Sequence, residues 1–198
     1  MKRTAVLFAA LAGMFLAAHA QAQQPGSTYL GVGYGSIWSD GASPYGNTVD
    51  DGVAGGGRIY AGRMVDRFGV ELGYYDLGKY NVTLAGAPVS KMVTKAIAVS
   101  GIYAAPLGGG YTFSTKIGIA FTRAENQCVQ CGILNPPNVN TMKRGLSGLI
   151  GFGLAAQLSN NFGVRMDLEH FGAVHHAIST FDYKNAYDLF SVSAQISF

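Results

Sequence analysis

Phe190-Ser191-Val192-Ser193-Ala194-Gln195-Ile196-Ser197-Phe198 ends the chain with an unbroken alternation of apolar and polar residues. Period two is the mark of a β-strand that shows one face to apolar surroundings and the other to polar ones. The form recurs upstream. In 162–171, Phe162, Val164, Met166 and Leu168 alternate with Gly163, Arg165, Asp167 and Glu169. In 144–158, Leu146, Ile150, Phe152, Leu154 and Leu158 alternate with small or polar residues, and in 111–122 Tyr111, Phe113, Ile117, Ile119 and Phe121 do the same. Four weaker segments follow the rule: 28–38 with Leu30, Val32, Tyr34 and Trp38, 54–64 with Tyr60 and Met64, 69–79 with Val70, Leu72 and Tyr74, and 92–104 with Val93, Ile97, Val99 and Tyr103. Eight segments of roughly ten residues have the length that tilted strands need to cross a bilayer.

The connections alternate too. Val65–Phe68, Ala105–Gly110 and Ser159–Asn161 are short, whereas 39–53, 80–91, 123–143 and 172–185 are long and polar. Short turns at one rim and long loops at the other are the layout of an outer-membrane barrel. Proline lacks a ladder donor, and all six prolines fall outside these eight segments. Aromatic residues gather at the expected interfaces, with Phe68, Tyr111, Phe162 and Phe198 at the short-turn rim and Trp38 and Phe121 toward the other.

Composition agrees. Among 198 residues, 13% are charged and 48% hydrophobic, with 28 glycines. Charge that sparse with mean hydropathy above zero excludes a disordered chain and argues against a charged nucleic-acid binder. The start, Met1 to Gln24, reads as an export signal: Lys2 and Arg3, an uncharged run from Ala5 to Ala18, then small residues. Cleavage after Ala20 or Ala22 fits, leaving residues 23–198 as one barrel domain. The run spans only ~21 Å, short of a ~30 Å hydrocarbon core. Without Lys2 and Arg3, the net charge falls from +3 to +1, 12 basic side chains against 11 acidic.

The glycine- and serine-rich face suits the narrow interior of an eight-stranded barrel. Charges on that face are Arg63, Glu71, Lys116, Arg165, Asp167 and Glu169, three of each sign. Facing lipid near the midplane, each cation would cost roughly 2–4 kcal/mol. Facing inward they pair, Arg63 with Glu71 near one turn and Lys116 with Glu169 across the lumen. An eight-stranded barrel is just wide enough for side chains to fill, which favours structural ion pairing over a selective pore.

Over about Tyr29 to Phe198 the chain resembles the OmpA-like outer-membrane β-barrel family. Gly69-Val70-Glu71-Leu72-Gly73-Tyr74 resembles that family's third strand, and Arg165-Met166-Asp167-Leu168-Glu169 its seventh. Ile196-Ser197-Phe198 resembles the aromatic-ended signal read by the barrel-assembly machinery, which assigns Phe198 that role. The resemblance implies lumen positions for Glu71, Lys116 and Glu169. It also implies outer-membrane lipids and lipopolysaccharide as surroundings and a structural or surface-contact role. No peptidoglycan-binding domain follows Phe198, so cell-wall tethering is not carried over.

Other chemistry is weaker. Cys128 and Cys131, exported to an oxidising compartment, suit a local disulfide, with free thiols or intermolecular bonds as alternatives. Zinc on Cys128, Cys131, His175 and His176 is disfavoured because an oxidised pair supplies no thiolates. A lipid A hydrolase would draw on Glu169, His170, His175, His176 and Ser179, yet the His-x-Ser spacing that resembles the lipid A deacylases is absent. Gly31, Gly33, Gly35 and Gly55 to Gly57 precede no helical pattern, so no nucleotide loop is expected. Asp40, Asp50 and Asp51 lack EF-hand spacing. The expectation is therefore an all-β, eight-stranded antiparallel up-and-down transmembrane barrel without enzyme activity, cofactor, metal or nucleic-acid partner. Four long loops are left for a surface ligand, and a narrow pore is the alternative.

Overall fold

A computed structural model describes residues 27–39, 54–84, 87–128, 141–178 and 181–198. The strands are β1 (Thr28–Ser39), β2 (Ala54–Val65), β3 (Phe68–Leu84), β4 (Ala87–Gly108), β5 (Tyr111–Cys128), β6 (Thr141–Gln157), β7 (Phe162–Ile178) and β8 (Phe181–Ser197). Each pairs antiparallel with its sequence neighbour, and β1 returns to β8 to close the barrel. Closure runs to the rim, where Phe198 N donates to Thr28 O at 2.9 Å and Thr28 N to Phe198 O at 3.1 Å. Every strand is laddered to both neighbours around the barrel, the condition for β-structure in a bilayer, although β6–β7 pairing stops at Leu149↔Phe171.

Seven strands turn the face that their alternation predicts. Leu30, Val32, Leu72, Val99, Ile117, Phe152, Leu168 and Ile196 point outward. Between them the small and polar residues point inward, among them Ser100, Ser114, Ser191 and Ser193. Phe68, Phe162 and Phe198 mark one outer rim, Trp38 and Phe121 the other.

β2 runs the other way round. Tyr60 and Met64 are buried in the lumen, Ile59 and Val65 face outward, and Arg63 is exposed. Arg63 is therefore no lumen charge and does not meet Glu71. Its site, two residues from the end of β2, lets a long side chain reach the interface at little cost.

The strands also outrun their sequence estimates. Much of 80–91 is a continuation of the β3–β4 ladder to Leu84↔Ala87, and much of 172–185 continues β7–β8 to Ile178↔Phe181. Register shifts between Asp76 and Lys79 and between Phe171 and Val174 explain the difference. Such a bulge slips the period-two phase, so the segment beyond it reads as a loop. In β3 the bulge turns on Gly78, φ +83°, whose N–H donates to the Asp76 carboxylate at 3.1 Å. Pro88 and Pro106 lie inside β4, contrary to the sequence expectation. Both sit beside ladder irregularities, Val82/Thr83 and Pro106/Gly108, where a missing donor does least harm. The signal segment 1–22, Cys131, Ser179 and the loop aspartates Asp40, Asp50 and Asp51 lie outside the described residues.

Candidate functional site: a charged belt across the lumen

Five of the six sequence candidates converge inside the barrel: Glu71 from β3, Lys116 from β5, and Arg165, Asp167 and Glu169 from β7. Alternate positions on β7 deliver three of them from one strand. The sixth member is Arg58 of β2 rather than Arg63. Arg58 shares its inward face with Tyr60 and is 2% exposed.

Each cation touches at least two carboxylates. Arg58 binds Glu169 at 2.6 Å and also pairs with Asp167, while its Nε donates to Ser193 Oγ at 3.2 Å. Lys116 Nζ lies 2.8 Å from Glu71 and 2.7 Å from Glu169. Arg165 reaches Glu71 at 2.8 Å and donates from Nε to Asp167 Oδ1 at 2.9 Å. Tyrosines complete the shell. Tyr29 donates to Glu71 Oε2 at 3.0 Å and Tyr75 to Glu169 Oε1 at 2.9 Å. The Arg58 guanidinium stands 4.4 Å from the Tyr60 ring centroid, and Arg165 lies 5.2 Å away. Three positive and three negative groups leave the belt neutral. Shared carboxylates satisfy each charge in more than one direction, which makes a buried ionic network tolerable.

Apolar layers cover the belt on both sides. Toward the short turns lie Tyr29, Tyr60, Met64, Ile102 and Ala104. Toward the long loops lie Ile37, Leu77, Met92, Leu149, Phe171 and Leu189, with Tyr75 against Phe171 at 5.0 Å. Beneath the belt, cavities of about 20 Å³ border Arg165, Thr112 and Gln195. This cross-section holds a packed ionic core rather than an open channel.

The remaining candidates are scattered. Cys128 ends β5. His170 points outward, opposite to Glu169, and its Nδ1 lies 2.7 Å from Asp188. His176 is inward, with Nε2 2.9 Å from the Tyr187 hydroxyl. The acid and the histidine beside it thus stand on opposite faces of β7. Phe198 is exposed at the seam between β8 and β1.

Sequence reading missed Arg58 because β2 is rich in glycine and alanine. Gly55 to Gly57, Ala61 and Gly62 supply almost no hydropathy contrast, so alternation alone puts Tyr60 and Met64 on the outward face, the reverse of the structure. Depth held the missing signal. An outward Arg58 would lie in the apolar band, whereas an outward Arg63 lies near its edge, and the cost of a lipid-facing arginine falls steeply with that distance.

An apolar outer wall on eight antiparallel strands around a polar, filled interior defines the small outer-membrane barrels. The model of the OmpA-like transmembrane domain matches residues 23–198, and the chain belongs to that family. Among solved structures, outer membrane protein OprG of Pseudomonas aeruginosa is similar at TM-score 0.65 and 14% identity, over 90% of this chain and 99% of that one. Neisserial surface protein A gives TM-score 0.61 and 12% identity over 87% and 99%. Ail, the attachment invasion locus protein of Yersinia pestis, gives 0.56 and 12% over 88% and 100%. Likeness at such identities is one of fold. No curated protein matches the chain. Family and fold together place the barrel in the outer membrane.

Proposed function

We propose that this protein is a sealed barrel whose work is structural and surface-facing: it stabilises the envelope and holds its long-loop rim outward for contacts. The signal segment is removed after Ala20 or Ala22, the short turns face the periplasm, and Phe198 offers the terminal signal to the assembly machinery. Outer-membrane lipids and lipopolysaccharide surround the wall, and the role is not catalytic.

One observation carries this reading. Arg58, Lys116 and Arg165 are each locked between carboxylates in mid-lumen, with apolar layers on either side. Conduction requires water and ions to displace these pairs, and breaking a buried pair costs about 3–5 kcal/mol. The test is planar-bilayer recording of the folded protein. Sealed barrels give no stable unitary steps, and reproducible small steps in the unmodified protein would sink the proposal. The narrow-pore alternative draws on the cavities beneath Arg165, which bring polar space up to the belt from the short-turn side.

A further inference from the structure

On the outer wall, β4, β5 and β6 carry cations at one level toward the long loops, with Val93 and Met142 as outward apolar residues beyond them. Ile97 pairs with Phe121 and Phe121 with Leu146, forming one apolar row that points outward. Two residues further along each strand the register brings Lys95 opposite Arg123 and Arg123 opposite Arg144. All three cations are exposed on that same outer face.

Adjacent strands are about 4.8 Å apart, so three like charges in directly opposed positions repel one another. Two carboxylates flank the three cations. Arg123 meets Glu125 at 2.5 Å, and both are solvent-exposed. Asp76, which also accepts the Gly78 N–H in its own bulge, stands directly opposite Lys95 at the end of the row. Lys95 and Arg144 enter no ion pair among the described residues. At the same rim on the opposite wall, Trp38 stands beside Asp188, and Asp188 pairs with His170. The row of directly opposed cations is thus confined to β4–β6.

We infer that Lys95, Arg123 and Arg144 form a binding site for the phosphate groups of an outer-leaflet glycolipid, with its acyl chains lying along Ile97, Phe121 and Leu146. The order of the rows selects this occupant. Acyl chains meet apolar side chains, and the first polar atoms beyond them, the phosphates, meet three cations at interface depth. Arginine forks accept phosphate bidentately and lysine contributes a point charge. A soluble polyanion would have no use for the apolar row. The inference rests on the outward orientation of the long-loop rim proposed above.

Binding of bis-phosphorylated lipid A to the folded full-length barrel in detergent, followed by native mass spectrometry, tests it. The unmodified protein should retain lipid A and retain its dephosphorylated form far less. Lys95→Gln/Arg123→Gln/Arg144→Gln should weaken retention by roughly tenfold or more, as expected for several exposed charge pairs together. The double variant Lys95→Gln/Arg144→Gln, which keeps the Arg123–Glu125 pair, should show part of that loss. Arg63→Gln/Arg67→Gln, on the opposite rim, should show none, and a heat-dependent gel shift verifies that each variant is folded. Equal retention by the triple variant, or of the dephosphorylated lipid, would overturn the site. So would a triple variant that loses heparin but keeps lipid A, since the row would then serve a polysaccharide. Conductance of the same preparation bears on the sealed barrel alone, so the two readings fail separately.

Discussion

The barrel carries two sets of three cations that obey opposite rules. Arg58, Lys116 and Arg165 lie inside, almost wholly buried, each between carboxylates. Lys95, Arg123 and Arg144 stand outside in one cross-strand row, exposed, with Glu125 as their single ion-pair partner among the described residues. Inside, removing a partner leaves a charge that neither lipid nor water can solvate. Outside, water solvates each charge, and the cost of the row is mutual repulsion. Count and sign are the same, and surroundings decide whether a charge holds the fold together or waits for a ligand.

The sharpest way to break that contrast is to unpair the belt. Glu71→Ala takes a carboxylate from both Lys116 and Arg165 and the acceptor from Tyr29, and should cost about 3–5 kcal/mol, less whatever lumenal water returns. Urea unfolding in detergent, read by the heat-dependent gel shift, measures the loss. An effect below about 1 kcal/mol would mean that the belt is not a packed core.

Arg58→Met and Glu169→Gln give the next test. Singly, each should destabilise by a few kcal/mol; together, by clearly less than the sum, because residues in contact are coupled. Strict additivity in the double-mutant cycle would contradict the Arg58–Glu169 contact.

Gly78→Ala probes the bulge past which the β3–β4 ladder continues to Leu84↔Ala87. The left-handed φ and a Cβ position 2.8 Å from the Ala54 side chain predict a loss of about 1–3 kcal/mol. Faster hydrogen exchange in 79–95 should accompany it, and unchanged protection there would separate the hairpin from its bulge.

The smallest effects belong to the exterior. Arg63→Gln should leave stability within about 0.5 kcal/mol of the parent, whereas a large loss would return Arg63 to the lumen. Neutralising Lys95, Arg123 and Arg144 together should leave stability equal or slightly raised, since it relieves opposed like charges. A clear loss of stability in lipid-free detergent would show that the row supports the fold itself.

Period-two alternation by itself determined the class of this protein. Eight stretches with apolar residues on one side, short and long connections in turn, and sparse charge leave an outer-membrane barrel as the arrangement that pairs every strand edge. Glu71, Arg165 and Asp167 are readable as inward because each stands between apolar outward neighbours, and Lys116 and Glu169 because they keep the phase of Ile117 and Leu168. Tertiary structure decided what alternation does not encode. In β2, glycine and alanine erase the contrast, and Arg58 was chosen over Arg63 by depth in the membrane, a property of the closed barrel rather than of the strand. At Asp76/Lys79 and Phe171/Val174, bulges shifted the phase and hid the ends of the hairpins. Register placed Arg58 against Asp167 and Glu169, 109 and 111 residues away, and set Lys95, Arg123 and Arg144 side by side. Which residues become neighbours across strands depends on how the sheet closes, and closure is settled only when all eight strands are paired.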